Sequence, residues 1–373
     1  MNTDSFRGND PVLCNAPESH GGRVTWRTAV DPGARDGRFS RPMTTAAATD
    51  RATDASTGRR RHPLLRLFDV VEPTDLAKLF NPIEIGKMAI DLATGRHRTT
   101  DGSDPGERDP VFVEAFVDWS RYVGDKYFRS EILGTERLPS TGPALIVGNH
   151  SGGLVTLDAL LVFVAVWDAF GPDRALYGLA HDVVYDTPVL RKYVGRLGAL
   201  RAGHEGAHRA FEAGHLVLVY PGSDYDSFRP FSERNRAVLA GRTGFVKLAL
   251  RERVPVIPLA SVGMQETLII LTRGDRLARA LGLHRLLRSN VLPIALGIPW
   301  GLFTPYLPQL PLPAQVTIEF GEPIRWDYPP GAENDPDIVG RCFREVETAL
   351  QRGLDGLAEG RIPFLGRPPF RRS

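Results

Sequence analysis

A chain of 373 residues with 42% hydrophobic side chains is long enough to bury a sizeable core, and one large domain with extensions is the expected organisation. The net charge of +2 excludes a strongly basic nucleic-acid binder. Two cysteines, Cys14 and Cys342, exclude a disulfide framework or a cysteine metal site and fit a reducing cytoplasm.

Residues 1–62 hold ten arginines against seven acids with little apolar periodicity, and are expected to form a disordered tail. Residues 63–110 read as accessory helices and a linker. Leu64, Leu65, Leu67 and Phe68, then Leu76, Leu79 and Phe80, follow short helical patterns, and 98–108 are polar. Val111, Val113, Phe116, Val117, Trp119, Tyr122, Val123 and Tyr127 continue at helical spacing, an amphipathic helix that opens the main domain, 111–358. Inside it, strands predicted at 127–133, 144–148, 175–180, 215–220, 254–260 and 316–320 alternate with helices at 159–169, 188–196, 205–213, 238–251 and 340–357. That alternation is the α/β signature.

The segment 291–318 has no charged side chain but is broken by six prolines, so it reads as an apolar loop rather than a spanning helix. Three placements are open to it: over a substrate groove, on a bilayer surface, or in a buried crossover. The tail 359–373 mixes arginines with apolar residues, a composition suited to anionic headgroups.

Three constellations compete for the chemistry. His204-Glu205-Gly206-Ala207-His208 is a literal H-E-x-x-H, whose histidines on a helix would share a face for zinc. Gly206 sits mid-motif, and Phe211 and Gly214 stand where an extended zinc motif needs glycine and histidine, so no metal site is expected. Asn149-His150-Ser151-Gly152-Gly153 is near the G-x-S-x-G elbow of a serine esterase with Ser151 as nucleophile, although asparagine replaces the first glycine. The third reading takes His150, at a strand's end beside two glycines, as a general base with Asp158 as its orienting carboxylate. An acceptor hydroxyl then attacks an acyl thioester directly, while backbone N–H groups around residues 151–153 stabilise the oxyanion.

Asn149-His150 with Asp158, Gly198-Ala199-Leu200-Arg201, Leu218-Val219-Tyr220-Pro221-Gly222-Ser223 and Val254-Pro255-Val256-Ile257-Pro258 stand in one order along the chain. That order and rough spacing resemble the four blocks of the glycerolipid acyltransferases, the lysophosphatidate and glycerol-phosphate acyltransferase superfamily. The resemblance covers roughly residues 111–350, with Tyr127-Phe128-Arg129, Gly241-Arg242-Thr243-Gly244-Phe245 and Val316-Thr317-Ile318-Glu319-Phe320-Gly321 adding to it. It implies a mixed, mostly parallel sheet flanked by helices. It also implies an acyl-CoA or acyl carrier protein donor as co-substrate with no cofactor, a lipid acceptor, no nucleic acid, and a membrane-associated enzyme, here expected on the cytoplasmic face. Asn149, Ser151, Gly152, Gly153, Pro221, Gly222 and Ser223 would bind substrate, with Arg201, Arg229 and Arg242 as headgroup contacts.

Two departures bear on this expectation. Seven residues separate His150 from Asp158 where the family pattern has four, and the strict position holds Val155. The third block also lacks the glutamate and arginine of Pro-Glu-Gly-Thr-Arg, which shifts the expected acceptor toward neutral or bulky lipid alcohols. A serine esterase using Ser151 and a non-catalytic lipid-binding protein are the alternatives.

Overall fold

A computed structural model describes residues 62–75, 107–153, 157–180, 184–185, 188–282, 291–305, 307 and 309–368. The strands are β1 (Glu131–Leu133), β2 (Ala144–Gly148), β3 (Leu176–Ala180), β4 (Ala199–Arg201), β5 (Leu216–Val219), β6 (Val256–Val262), β7 (Ile269–Thr272), β8 (Ile294–Gly297), β9 (Gly301–Phe303) and β10 (Thr317–Phe320). The helices are α1 (Pro63–Val70), α2 (Pro110–Val123), α3 (Leu157–Phe170), α4 (Pro188–Leu197), α5 (His204–Glu212), α6 (Ser223–Ser227), α7 (Gly244–Glu252), α8 (Asp275–Ala280) and α9 (Pro336–Ala358).

Seven strands form the main sheet in the order β1-β10-β6-β2-β5-β3-β4. The five strands from β6 to β4 are mutually parallel, and β10, which pairs in parallel with β1, closes the sheet by pairing antiparallel with β6. This is the mixed, mostly parallel α/β architecture that the sequence implied. Strand β2 lies between β5 and β6 and is buried along its whole length. Its Ala144 and Ile146 enter one core and Leu145 and Val147 the other, which is why the strand reads as an unbroken apolar run rather than an alternation. Helices α2 and α3 cover the first face; α5, α7 and α9 cover the second.

Local chemistry sets these helices. Asp109 caps α2 by accepting from the N–H groups of Val111 and Phe112, with Pro110 at the first helical position. Asp335 and Pro336 do the same for α9, whose Val339, Cys342, Val346, Leu350, Leu354 and Leu357 recur every three or four residues as one buried stripe. Cys342 is therefore a small apolar side chain of the core.

The structure departs from the predicted elements in three places. Tyr127 and Phe128 do not extend a strand but close a π-helical turn, Gly124–Phe128, that ends at a left-handed Arg129. Residues 238–243 precede α7 rather than forming its first turn. The proline-rich 291–318 supplies β8 and β9 to a second sheet, β7-β8-β9, because its prolines fall outside the paired stretches. Residues 1–61, the pattern at Leu76, Leu79 and Phe80, most of the linker 98–108, Val155 and the end of the C-terminal tail lie outside the described residues.

At Ile146, fully buried between β5 and β6, truncation to alanine is expected to cost about 2–5 kcal/mol. The midpoint of a urea or guanidinium unfolding curve measures it.

Candidate active site

Parallel strands carry their ligands outside their carboxyl ends. His150 leaves the end of β2, and Tyr220 leaves the adjacent β5, with their ring centroids 5.3 Å apart. The chain then turns through Gly152 (φ +85°) and Gly153 (φ +89°), a left-handed pair that side chains would strain.

Asn149 is fully buried and ties this turn to β6. Its Oδ1 accepts from Ser261 N at 2.8 Å, and its Nδ2 donates to Ser261 O at 3.0 Å and to Ser151 Oγ at 3.1 Å. Asp226 accepts from the His150 N–H and forms an ion pair with Arg229, both side chains fully buried. Arg229 Nη1 donates to His150 O at 2.9 Å, and Nη2 donates to Ser151 Oγ at 2.6 Å and to Arg234 O at 3.1 Å. Gln265 completes the frame, accepting from Gly152 N at 3.1 Å and donating to Arg229 O at 2.6 Å. Gly222 lets this frame close: a Cβ there would stand 2.0 Å from Val238 O and 2.3 Å from Asp226 Cβ.

Among the described residues, four buried polar atoms in and beside the frame have no hydrogen-bond partner: His150 Nδ1, Asp158 Oδ2, the Tyr220 hydroxyl oxygen and Ser261 Oγ. Burial, together with the Arg229 guanidinium, pushes His150 down to about 4. Burial pushes Asp158 up to about 8, with the Asp226 carboxylate adding to the shift and the Ala159 N–H, 3.1 Å from Oδ1, opposing it. Tyr220 is held well above its ordinary value by burial and by Asp158 and Asp226. Asp226 is itself pushed up to about 6 by burial, against the pull of Arg229.

The sequence-predicted residues therefore divide. Asn149, His150, Ser151, Gly152, Pro221, Gly222 and Arg229 converge on one buried frame, and Asp158 joins it from the first turn of α3. Arg229 spends its guanidinium on protein acceptors, not on a headgroup. Arg242 is paired with Asp224 at 2.8 Å. Arg201 ends β4, three strands from β2, roughly 14 Å across the sheet at ~4.8 Å per strand, with its guanidinium 5.2 Å over the Tyr185 ring. Ser223 sits at a left-handed φ of +48° at the start of α6.

Ser151 is not poised as an esterase nucleophile, since donors from Asn149 and Arg229 occupy its buried oxygen. The Gly152 N–H, expected to help an oxyanion, is spent on Gln265. His204 and His208 lie on α5, where Glu252 at 2.8 Å and Glu212 at 3.4 Å face the two ring nitrogens of His208 and raise its pKa. In the C-terminal segment, Arg361 pairs with buried Glu266 and Arg367 donates to Gly356 O and Glu359 O, so both bind the fold rather than headgroups.

Sequence reasoning missed Asp226, Tyr220 and Gln265 as site residues. The opposite charges at Asp226 and Arg229, three residues apart, were a readable sign of an ion pair; nothing near Gln265 marked it.

A family model described as Acyltransferase matches residues 129–262, the stretch that holds β2, β5, β6 and the whole frame except Gln265. The chain is 36% identical over 255 residues to the uncharacterized protein ML2427 of Mycobacterium leprae, covering 68% of this chain and 67% of that one. The chain belongs to the glycerolipid acyltransferase superfamily. It is also 28% identical over 189 residues to the human DGAT1/2-independent enzyme synthesizing storage lipids, covering 51% of this chain and 56% of that protein. The human Diacylglycerol O-acyltransferase 2 is 27% identical over 169 residues, covering 43% of this chain and 42% of that one. The crystal structure of the Thermotoga maritima acyltransferase PlsC overlays with a TM-score of 0.44 at 15% identity, covering 77% of this chain and 98% of that one. As a glycerolipid-type acyltransferase, the protein needs an acyl donor and a lipid acceptor. No helix among the described residues is long and apolar enough to cross a membrane.

Two outcomes follow for this acyltransferase. Arg229→Met leaves Asp226 an uncompensated buried charge, with an expected loss of about 3–5 kcal/mol in chemical denaturation. Asp158, its pKa raised on folding, holds a proton that the unfolded chain releases; its contribution to stability is intact below the ordinary value of 3.8, falls as pH rises above that, and is lost by about 8. Asp158→Asn should therefore raise Tm relative to wild type at about pH 9 and change it little at about pH 3.

Proposed function

We propose that this protein moves a fatty acyl group from an acyl-CoA or acyl carrier protein thioester to the hydroxyl of a neutral lipid alcohol, with His150 as general base. The observation that carries the reading is the pair of buried, unpartnered and chemically complementary atoms, His150 Nδ1 and Asp158 Oδ2, at the carboxyl edge of the sheet. Each buried polar group left unpaired costs about 1–3 kcal/mol, so a bond between them formed when substrate binds recovers energy and aligns the ring.

In the reaction His150 accepts the acceptor's hydroxyl proton as its oxygen attacks the thioester carbon. Asp158, ionised, stabilises the imidazolium. Collapse of the tetrahedral intermediate breaks the carbon–sulfur bond, and the imidazolium returns the proton to the departing thiolate. We assign the oxyanion donor to the Tyr220 hydroxyl, which burial and its acidic neighbours keep protonated.

A neutral acceptor is supported by the commitments of the arginines. Arg229 is internal and Arg242 is paired, so neither is offered to a phosphorylated headgroup. The names of two relatives, a storage-lipid-synthesizing enzyme and a diacylglycerol acyltransferase, point the same way.

His150→Ala should lower acyl transfer by roughly 10²- to 10⁴-fold with folding intact. Tyr220→Phe should lower kcat while leaving KM near wild type. Incubation with acyl donor alone should leave the intact mass unchanged; an acyl adduct on Ser151 would install the esterase mechanism instead. A panel of monoacylglycerol, diacylglycerol, lysophosphatidate and glycerol phosphate, read by product mass, should show turnover of the neutral acceptors, and turnover of the phosphorylated ones alone would sink the preference.

The pH profile has a definite sign. Because Asp158 is pushed up to about 8, the ionised carboxylate that supports His150 grows in as pH rises, so kcat/KM of the wild type should climb between about pH 6 and pH 9. Asp158→Asn should flatten that limb, and a wild-type profile already flat from about pH 5 would mean that His150 works without Asp158.

A further inference from the structure

The sheet β7-β8-β9 has an inner and an outer row. Ile270, Ala295 and Phe303 are cross-strand neighbours buried against Phe228, Leu268 and Val291. On the opposite face Ile269, Leu296 and Leu302 form the matching row, and here Leu296 is 45% and Leu302 65% exposed. Ile298, 52% exposed, continues this surface and is held by a backbone bond from Leu310, itself 57% exposed. An antiparallel sheet packed on one side normally turns polar side chains to water on the other, so an apolar outer row marks a surface made for apolar surroundings.

The edge of this surface is basic. Helix α8 follows β7 and exposes Leu277 between the exposed Arg276 and Arg279, with the exposed Leu281 just past its end. Residues 267–282 contain three arginines and a single acid, Asp275, and of the three Arg273 is paired with Glu233 at 3.2 Å while Arg276 and Arg279 are exposed. Two copies meeting through this surface would bring like charges together, whereas an anionic bilayer offers apolar chains to the centre and opposite charge to the rim.

The same sheet is rooted in the active site. Met264 and Thr267 lie against Gly152, and Leu268 and Gln309 against Gly153, so the residues leading into β7 wall the turn that carries His150.

We propose that the outer face of β7-β8-β9, with α8 at its edge, docks this acyltransferase onto an anionic lipid bilayer and delivers the lipid acceptor along the sheet to the His150 turn. The proposal rests on the acyltransferase reading for its purpose but not for its test. The full chain should co-sediment with vesicles of phosphatidylcholine and phosphatidylglycerol, more weakly with phosphatidylcholine alone and more weakly at high salt. Leu296→Glu with Leu302→Glu should lower binding by about tenfold or more, through lost apolar burial. Arg276→Ala and Arg279→Ala should each lower binding to the anionic vesicles roughly five-fold. All these positions are exposed, so circular dichroism and Tm should match wild type. His150→Ala should bind vesicles as the wild type does, which separates docking from chemistry.

In activity assays, Leu296→Glu with Leu302→Glu should lose turnover of vesicle-embedded acceptor and keep turnover of a water-soluble short-chain acceptor. Absence of turnover on every acceptor with binding intact would sink the functional reading and leave the docking face standing. Vesicle binding unaffected by the double glutamate variant would overturn the docking face. So would a wild-type dimer in light scattering that this variant dissociates, since the occupant would then be a second copy.

Discussion

The buried ion pair of Asp226 and Arg229 is the constraint on which the site depends. Two charges taken fully out of water are tolerated only when hydrogen bonds satisfy what remains of them, and here those bonds go to the backbone of His150 and the hydroxyl of Ser151. The pair thus fixes the turn after β2 from within, while Asn149 fixes the same turn to β6. A turn with two left-handed glycines would otherwise be the most adaptable part of the chain. Rigid support beneath a permissive backbone leaves room for a close approach without His150 losing its place.

The same arrangement sets the electrostatics. Burial, with the guanidinium held within the frame, depresses the proton affinity of His150, and burial, with the Asp226 carboxylate, raises that of Asp158. His150 and Asp158 are therefore both neutral near neutral pH, the least costly state for buried groups without partners. Stability and activity pull in opposite directions here, as at many sites where polar groups wait for a ligand.

The fold was largely legible in the residues because burial on both faces makes parallel strands read as short apolar runs. The stretches at 144–148, 215–220 and 254–260 are such runs, and they became β2, β5 and β6, adjacent in the sheet. Strands β8 and β9 were hidden among the prolines of 291–318, and β4 is too short to carry a period. At the site, His150 was marked by its place between an apolar run and two glycines. Asn149, Ser151 and Arg229 read from the sequence as substrate contacts, and only the tertiary structure shows that each bonds within the protein. Tyr220 and Gln265 had no local signal and Asp226 only the opposite charge of Arg229, because each matters through contacts with segments far along the chain.

By itself the sequence determined the alternation of strands and helices, the capped amphipathic helices and the position of a histidine at a strand's end. All of these follow from periodicity and turn chemistry within a few residues. Only the tertiary structure decided which charges are internal and which surface is left apolar. Residues 226 and 229 meet residue 150 and residue 265 meets residue 152 across long stretches of chain, and the row Ile269-Leu296-Leu302 exists only once three strands are in register. Burial and partnership are properties of contacts between distant segments, and it is these that turn a histidine beside two glycines into a framed site.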